Sequence, residues 1–288
     1  MKKKTTVTII SIIISALAIL SVLCGLYLRC ENTKLQVSSY DIVNGKIPCD
    51  FNNYKIVQVS DFHNTKSKTL TYDLIKQIEN LNPNIIVLTG DLIDSNKTDI
   101  AVAIDLVKQI KGIAPIYFIS GNHEAKIKSY SSVKEKLEEN GVFILDNKVE
   151  AFKINGSEIN LIGIDDPQMA SESSVSEALI AKTELETVRY NKNNYSILLS
   201  HRPELINVYA EYEMDLVLSG HAHGGQIRLP FIGGIVAPNQ GLFPKYTAGI
   251  YENNKTTMVV SRGIGNSILP FRINNRPELV NITLKTSQ

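Results

Sequence analysis

The stretch Tyr54–His63, YKIVQVSDFH, is a short β-branched run that ends in an aspartate and a histidine. A run this short, rich in Ile and Val and closed by Ser and Asp, reads as a buried strand with polar residues at its tip. The arrangement recurs. Asn84–Thr89 (NIIVLT) leads into Gly90-Asp91, and Ile116–Ser120 (IYFIS) into Gly121-Asn122-His123. Tyr195–Ser200 (YSILLS) leads into His201, and Asp215–Ser219 (DLVLS) into Gly220-His221-Ala222-His223. Between the first three runs lie Thr69–Asn80 and Thr98–Lys111, whose apolar residues fall three and four apart as on an amphipathic helix. Ser131–Asn140 is a third, shorter helix. Strands alternating with helices predict βαβ units and a largely parallel sheet in an α/β fold. Ligands bind such sheets at the carboxyl ends of the strands.

Further along, Phe143–Leu145, Val149–Ile154 and Glu158–Ile164 are joined by turn signals at Asp146-Asn147 and Asn155-Gly156, which reads as an antiparallel set. Thr256–Ser261 and Glu278–Leu284 are closing strands. The apolar stretch Leu229–Pro244, LPFIGGIVAPNQGLFP, is expected to be a loop packed on the body. Its alternatives are a lid, an acyl-chain groove or a bilayer contact.

With 288 residues, 43% hydrophobic and 20% charged, the chain is neither collagen-like, mucin-like nor wholly disordered. Its net charge of +1 divides into +4 over residues 1–30 and −3 over the rest. An acidic body offers no basic stripe for nucleic acid. The cysteines, at 24, 30 and 49, leave the main body without a disulfide framework or a thiolate zinc site. Val7–Leu28 is an uncharged apolar run, long enough as a helix to span a bilayer. The lysines at 2, 3 and 4 precede it, which orients the N-terminus to the cytoplasm and the body outside the cell membrane. A cleaved signal is the alternative. Leu23 is too large for a lipoprotein site at Cys24, so that residue is expected to be a buried thiol in the helix. The expected organisation is a basic tail over 1–6, a single-pass anchor over 7–28, a polar linker over 29–50 and one folded domain over 51–288.

All five histidines, His63, His123, His201, His221 and His223, stand at predicted strand tips beside Asp61, Asp91 and Asn122. Imidazole and carboxylate together suit Mn, Fe or Zn. The ligand types outnumber the roughly three that one catalytic ion takes, which points to two divalent ions sharing a bridging group.

Asp61-Phe62-His63, Gly90-Asp91-Leu92-Ile93-Asp94, Gly121-Asn122-His123-Glu124, Ser200-His201 and Gly220-His221-Ala222-His223 resemble, in order, the five motifs of the calcineurin-like metallophosphoesterases. Gly224–Pro230, Ser261-Arg262-Gly263 and Asn275–Glu278 resemble a bacterial membrane-associated branch that includes phosphodiesterases similar to the UDP-2,3-diacylglucosamine hydrolases. The resemblance implies a four-layer αββα sandwich with a dimetal site at one edge. It implies Asp61, His63 and His223 on one metal, Asn122, His201 and His221 on the other, and Asp91 between them. It also implies His123 as the catalytic histidine with Glu124 orienting its ring, and attack on phosphorus by a hydroxide bridging the ions. Phe62 and Asn64-Thr65 depart from the Leu and Leu-Gly common in relatives, without touching a ligand position. Asp94 is expected to be structural, with a carboxylate that orients a ligand as the alternative. Arg202 is expected either to contact a substrate phosphate or to form a surface salt bridge. The function expected is phosphodiester hydrolysis on a lipid-linked or envelope substrate, with no protein partner. The competing readings are a phosphomonoesterase or nucleotidase on soluble substrates, and a metal-free scaffold.

Overall fold

The computed structural model describes residues 2–170, 174–266, 269 and 271–287; Met1 of the basic tail lies outside them. Helix α1 (Lys2–Thr33) carries the apolar run and continues without a break to the body. Its segment Thr8–Thr33 has a mean hydropathy of 2.8 over its most apolar stretch and buries none of it in the protein. At 1.5 Å per residue that segment is about 39 Å long, against a hydrocarbon core of about 30 Å. Cys24 lies on it, exposed rather than buried.

The body runs β1 (Gln36–Asn44), β2 (Lys55–Val59), α2 (Lys68–Leu81), β3 (Ile85–Thr89), α3 (Ile100–Ile110), β4 (Ile116–Ile119), α4 (Asn122–Ala125), α5 (Tyr130–Glu139) and β5 (Val142–Ile144). The hairpin β6 (Lys148–Ile154) and β7 (Ser157–Gly163) follows, then α6 (Glu177–Thr187), β8 (Tyr195–Leu199), α7 (Ile206–Glu211) and β9 (Leu216–Ser219). Two small ribbons come next, β10 (Arg228–Leu229) with β11 (Gly233–Gly234) and β12 (Val236–Ala237) with β13 (Gly241–Leu242). The chain closes with β14 (Gly249–Asn253), β15 (Thr256–Val260) and β16 (Glu278–Thr286).

Twelve of these strands make two six-stranded sheets, ordered β1-β16-β2-β3-β4-β5 and β14-β15-β9-β8-β7-β6. Most pairs are parallel; β16 with β2, β14 with β15 and β6 with β7 are antiparallel. Side chains alternate across each strand. Ile56 and Val87 therefore face inward against Ile197, Leu199 and Leu218 of the second sheet. Val57, Val59 and Leu88 face outward against Leu74 and Ile78 of α2 and Val107 of α3. Leu198 and Val217 face the other way, onto Leu185 of α6 and Ile206 of α7. The result is an αββα sandwich, and burial on both faces explains why the central strands read as unbroken apolar runs. One polar side chain crosses the middle layer. Gln58 Nε2 donates to Thr89 Oγ1 at 3.0 Å and to the Ser219 carbonyl at 2.9 Å, tying the sheets together near their tips.

Two expectations for the body fail. Residues 36–44 belong to no linker: β1 pairs in parallel with β16 from Gln36↔Glu278 to Asn44↔Thr286. As an edge strand it fully buries only Ile42, so its sequence lacks the apolar signal of the central strands. The second failure is β5, which is not part of an antiparallel set with β6 and β7. It joins the first sheet, parallel to β4. The turn at Asp146-Asn147 marks a change of sheet.

One buried acid on α6 predicts a pH effect. Burial first, then Asp165, Asp166 and Asp146, pushes Glu184 up to about 9 from 4.5, and its Oε2 has no hydrogen-bond partner. An acid whose folded pKa is raised costs stability as pH climbs from the unfolded value to the folded one. Glu184→Gln should therefore raise the melting temperature at pH 8 by about 2 °C or more, and the gain should shrink toward zero near pH 4.5. Melting curves of both proteins across that range check it.

Candidate metal centre

The carboxyl tips of β2, β3, β4, β8 and β9 meet at one edge of the sandwich. Asp61 and His63 follow β2, Asp91 follows β3, and Asn122, His123 and Glu124 form α4 after β4. His201 follows β8, and His221 and His223 follow β9. All nine are buried except His123, which keeps partial exposure. Five of them, Asp61, His63, Asp91, His221 and His223, hold a left-handed backbone with φ between 46° and 67°. That conformation costs non-glycine residues about 1 kcal/mol or more each and concentrates at functional sites. Glycine keeps the tips close. A Cβ on Gly220 would collide with Ser60 Oγ and the Asp61 carboxylate, and one on Gly121 with the Asp91 carboxylate.

Two groups of donor atoms result. Asp61, His63, Asp91 and His223 form the first, and Asp91, His201 and His221 the second. His63 Nε2 and His223 Nε2 are 3.2 Å apart, and His223 Nε2 is 3.2 Å from Asp61 Oδ1. Asp91 Oδ2 lies 3.6 Å from His63 Nε2 and 3.3 Å from His201 Nε2, so one carboxylate faces both groups. His201 Nδ1 is 2.8 Å from the Thr89 carbonyl, which orients the ring with Nε2 aimed inward; burial opposes its charge, but Asp91 and then Asp61 push its pKa up to about 10. Burial lowers the pKa of His63, to about 4, and that of His223 as well, so both rings are neutral. Burial opposes the charge on Asp91, yet the neighbouring His201 ring holds its pKa well below the usual carboxylate range. The Asn122 Oδ1 atom is buried with no hydrogen-bond partner. Converging imidazole nitrogens, buried carboxylates and an orphaned amide oxygen form a donor set that fits divalent cations.

A family model of the calcineurin-like phosphoesterases matches residues 54–225, which span every one of these tips. The chain belongs to this family. It is 31% identical over 262 residues to the uncharacterized metallophosphoesterase YkuE of Bacillus subtilis, covering 89% of this chain and 88% of the relative. It is 26% identical over 244 residues to the phosphodiesterase YaeI of Escherichia coli, covering 80% and 82%. A transmembrane protein with a metallophosphoesterase domain from Danio rerio is 29% identical over 259 residues, 87% of this chain and 57% of that one. Together with the exposed apolar helix α1, this supports a membrane protein with a metal-dependent phosphoric ester hydrolase domain.

Glu124 does not orient His123. Its carboxylate accepts the backbone N–H groups of Asp91 (2.8 Å), Ile93 (3.1 Å) and Gly121 (2.8 Å), and so clamps the β3 tip to the β4 tip. The His123 ring is held by Ser95, whose backbone N–H donates to Nδ1 at 3.0 Å, with Asp94 Oδ1 3.8 Å away. Arg202 is neither a surface ion pair nor a substrate ligand. It is fully buried, with Nε and Nη2 donating to the Asp166 carboxylate at 2.5 and 2.8 Å and Nη1 3.2 Å from His221 Nε2. Ser95 reaches Nδ1 with its main-chain N–H and also places Oγ 3.1 Å away, and as a lone serine it carries no sequence signal. Asp166 carries none because its partner lies 36 residues away.

Proposed function

We propose that the protein is a two-metal phosphodiesterase whose active site works on lipid-linked phosphate esters outside the cell membrane. The observation that carries this reading is the Asp91 carboxylate, which faces both histidine groups at once. In it Asp61, His63 and His223 would hold one ion and Asn122, His201 and His221 the other, with Asp91 available to both. When bound, two such ions, with Mn, Fe and Zn all suited to the donors, lower the pKa of water and neutralise charge on phosphoryl oxygens.

The chain supplies the rest. The Ser95 N–H occupies His123 Nδ1, so the neutral ring carries its proton on Nε2. His123 lines a cavity of about 300 Å³ with Asn122, His221, Asn239 and Lys126. From there its Nε2–H can donate a hydrogen bond that stabilises charge on the leaving oxygen, and Lys126 adds positive charge for an anionic ester. A second cavity is lined by His63, Asn266 and Asn32, the last from α1. The membrane helix thus ends beside the site, which favours a headgroup substrate over a soluble nucleotide. The name of YaeI favours the diester.

Full-length protein in detergent, loaded with Mn²⁺, tests this on a chromogenic phosphodiester and the matching monoester. Diester cleavage should dominate, and His123→Ala should lower it about 10²–10⁴-fold with metal content unchanged. A strong monoester preference would replace the reading with a phosphatase. Absence of both turnover and bound metal would replace it with a scaffold.

A further inference from the structure

The ribbon segment after the last histidine packs on the body at its roots, where Gly234 and Ala237 are buried, but not at its tips. Phe231 is fully exposed, and Leu229, Ile232, Leu242 and Phe243 are 43–70% exposed. Among the described residues of the body beyond α1, eleven large apolar side chains are exposed, and five of them fall in these 15 positions. The other six are spread over the rest of the body, as single exposed apolar residues usually are. The segment is also electrostatically distinct. Residues 216–251 contain Arg228 and Lys245 and no acid, whereas the chain after residue 30 is acidic overall.

Hydrogen bonds fix where this segment sits. The last turns of α1 dock on residues 272–276: Tyr27 Oη donates to Asn274 Oδ1 at 2.6 Å, Asn32 exchanges hydrogen bonds with the Arg272 backbone, and Glu31 pairs with Arg276 at 2.9 Å. The same stretch holds the root of the first ribbon. Arg228 N donates to the Ile273 carbonyl at 3.0 Å, and Asn274 Nδ2 donates to the Arg228 carbonyl at 3.1 Å. The second ribbon is rooted on the first, since Phe243 N donates to the Ile235 carbonyl and Ile235 N to the Gly225 and Ile227 carbonyls. Asn274 therefore bonds both the end of the membrane helix and the base of the apolar ribbons.

We infer that the two ribbon tips, with Phe231, Ile232, Leu242 and Phe243, are a second membrane contact that inserts into the interface of the bilayer crossed by α1. Aromatic and aliphatic side chains flanked by the exposed Lys245 match the acyl boundary and the anionic headgroups. Four tip side chains fall far short of the roughly 20–30 residues a side of a stable protein pair. The consequence is orientation: two contacts fix the tilt of the metal-centre edge, where a lone helix would leave it free to swing.

The chain contains no tryptophan, so a substituted one reports alone. Phe231→Trp would be placed in full-length protein and reconstituted in phosphatidylcholine–phosphatidylglycerol vesicles, with and without bromine on the acyl chains. Phe143→Trp, at an exposed position on β5, serves as the aqueous control. Emission of the Phe231→Trp protein should be blue-shifted and reduced by about half or more in brominated vesicles, as for an interfacially buried ring. Emission of the Phe143→Trp protein should be the same in both. Solvent-like, unquenched emission from the Phe231→Trp protein would overturn the inference. So would blue-shifted emission without bromine quenching, which would mean that the tip is covered by protein.

Discussion

Asp91→Asn should empty the candidate metal centre while leaving the fold intact. The asparagine keeps the shape and can still accept the His123 backbone N–H that Asp91 Oδ1 accepts at 2.8 Å. What it removes is the charge facing His63 and His201 together. Loss of a charged ligand shared by two ions should weaken metal binding more than the roughly 10–100-fold seen when an outer partner of a ligand is lost. Turnover should fall by about 10³-fold or more, which corresponds to about 4 kcal/mol of barrier. Elemental analysis of the purified variant, with diester turnover and circular dichroism, checks this. Native metal content with activity within about tenfold of the parent would show that Asp91 is not shared.

Arg202→Ala should be the most destabilising single change near the site. The guanidinium is buried against Asp166, with Glu177 Oε1 at 3.4 Å and Glu204 Oε1 at 3.6 Å. Removing it strands the Asp166 carboxylate without its counter-ion, and breaking such a pair from one side costs about 3–5 kcal/mol. The melting temperature should fall by about 6 °C or more. The double variant Arg202→Met with Asp166→Asn removes both charges and should recover much of that loss. It should not recover turnover, because Nη1 no longer sits 3.2 Å from His221 Nε2 to set that ring. Recovery of both stability and turnover would make Arg202 a purely structural residue.

The sequence exposes this site unusually well because each tip residue follows directly on a strand that announces itself. Ile56–Val59 and Leu216–Ser219 are buried on both faces, so their ends are legible to within a residue or two. What escapes reading depends on pairing across the chain. Arg202 reads as an exposed cation unless Asp166, from the segment after β7, is known to close over it. Glu124 reads as the partner of its sequence neighbour, although its carboxylate reaches back to the β3 tip. Strand β1 is legible only once β16, more than 200 residues away, supplies its partner. The exposure of Phe231 reflects an environment outside the protein, which no pattern of contacts within the chain encodes.

The docking of α1 on residues 272–276 bears on what release from the membrane would do. Asn32 holds the Arg272 backbone, the Arg272 guanidinium holds the Gly265 carbonyl, and Gly265 N donates to the Asp61 carbonyl at 2.7 Å. Three links thus connect the last turn of the anchor to a residue of the metal centre. A protease cutting just after Thr33 would free the domain from the bilayer and also leave Arg276 and Asn275 N–H without the Glu31 carboxylate that satisfies both. The shed form would then be a different catalyst from the tethered one, and anchor cleavage would act as a switch on the site as well as a change of address.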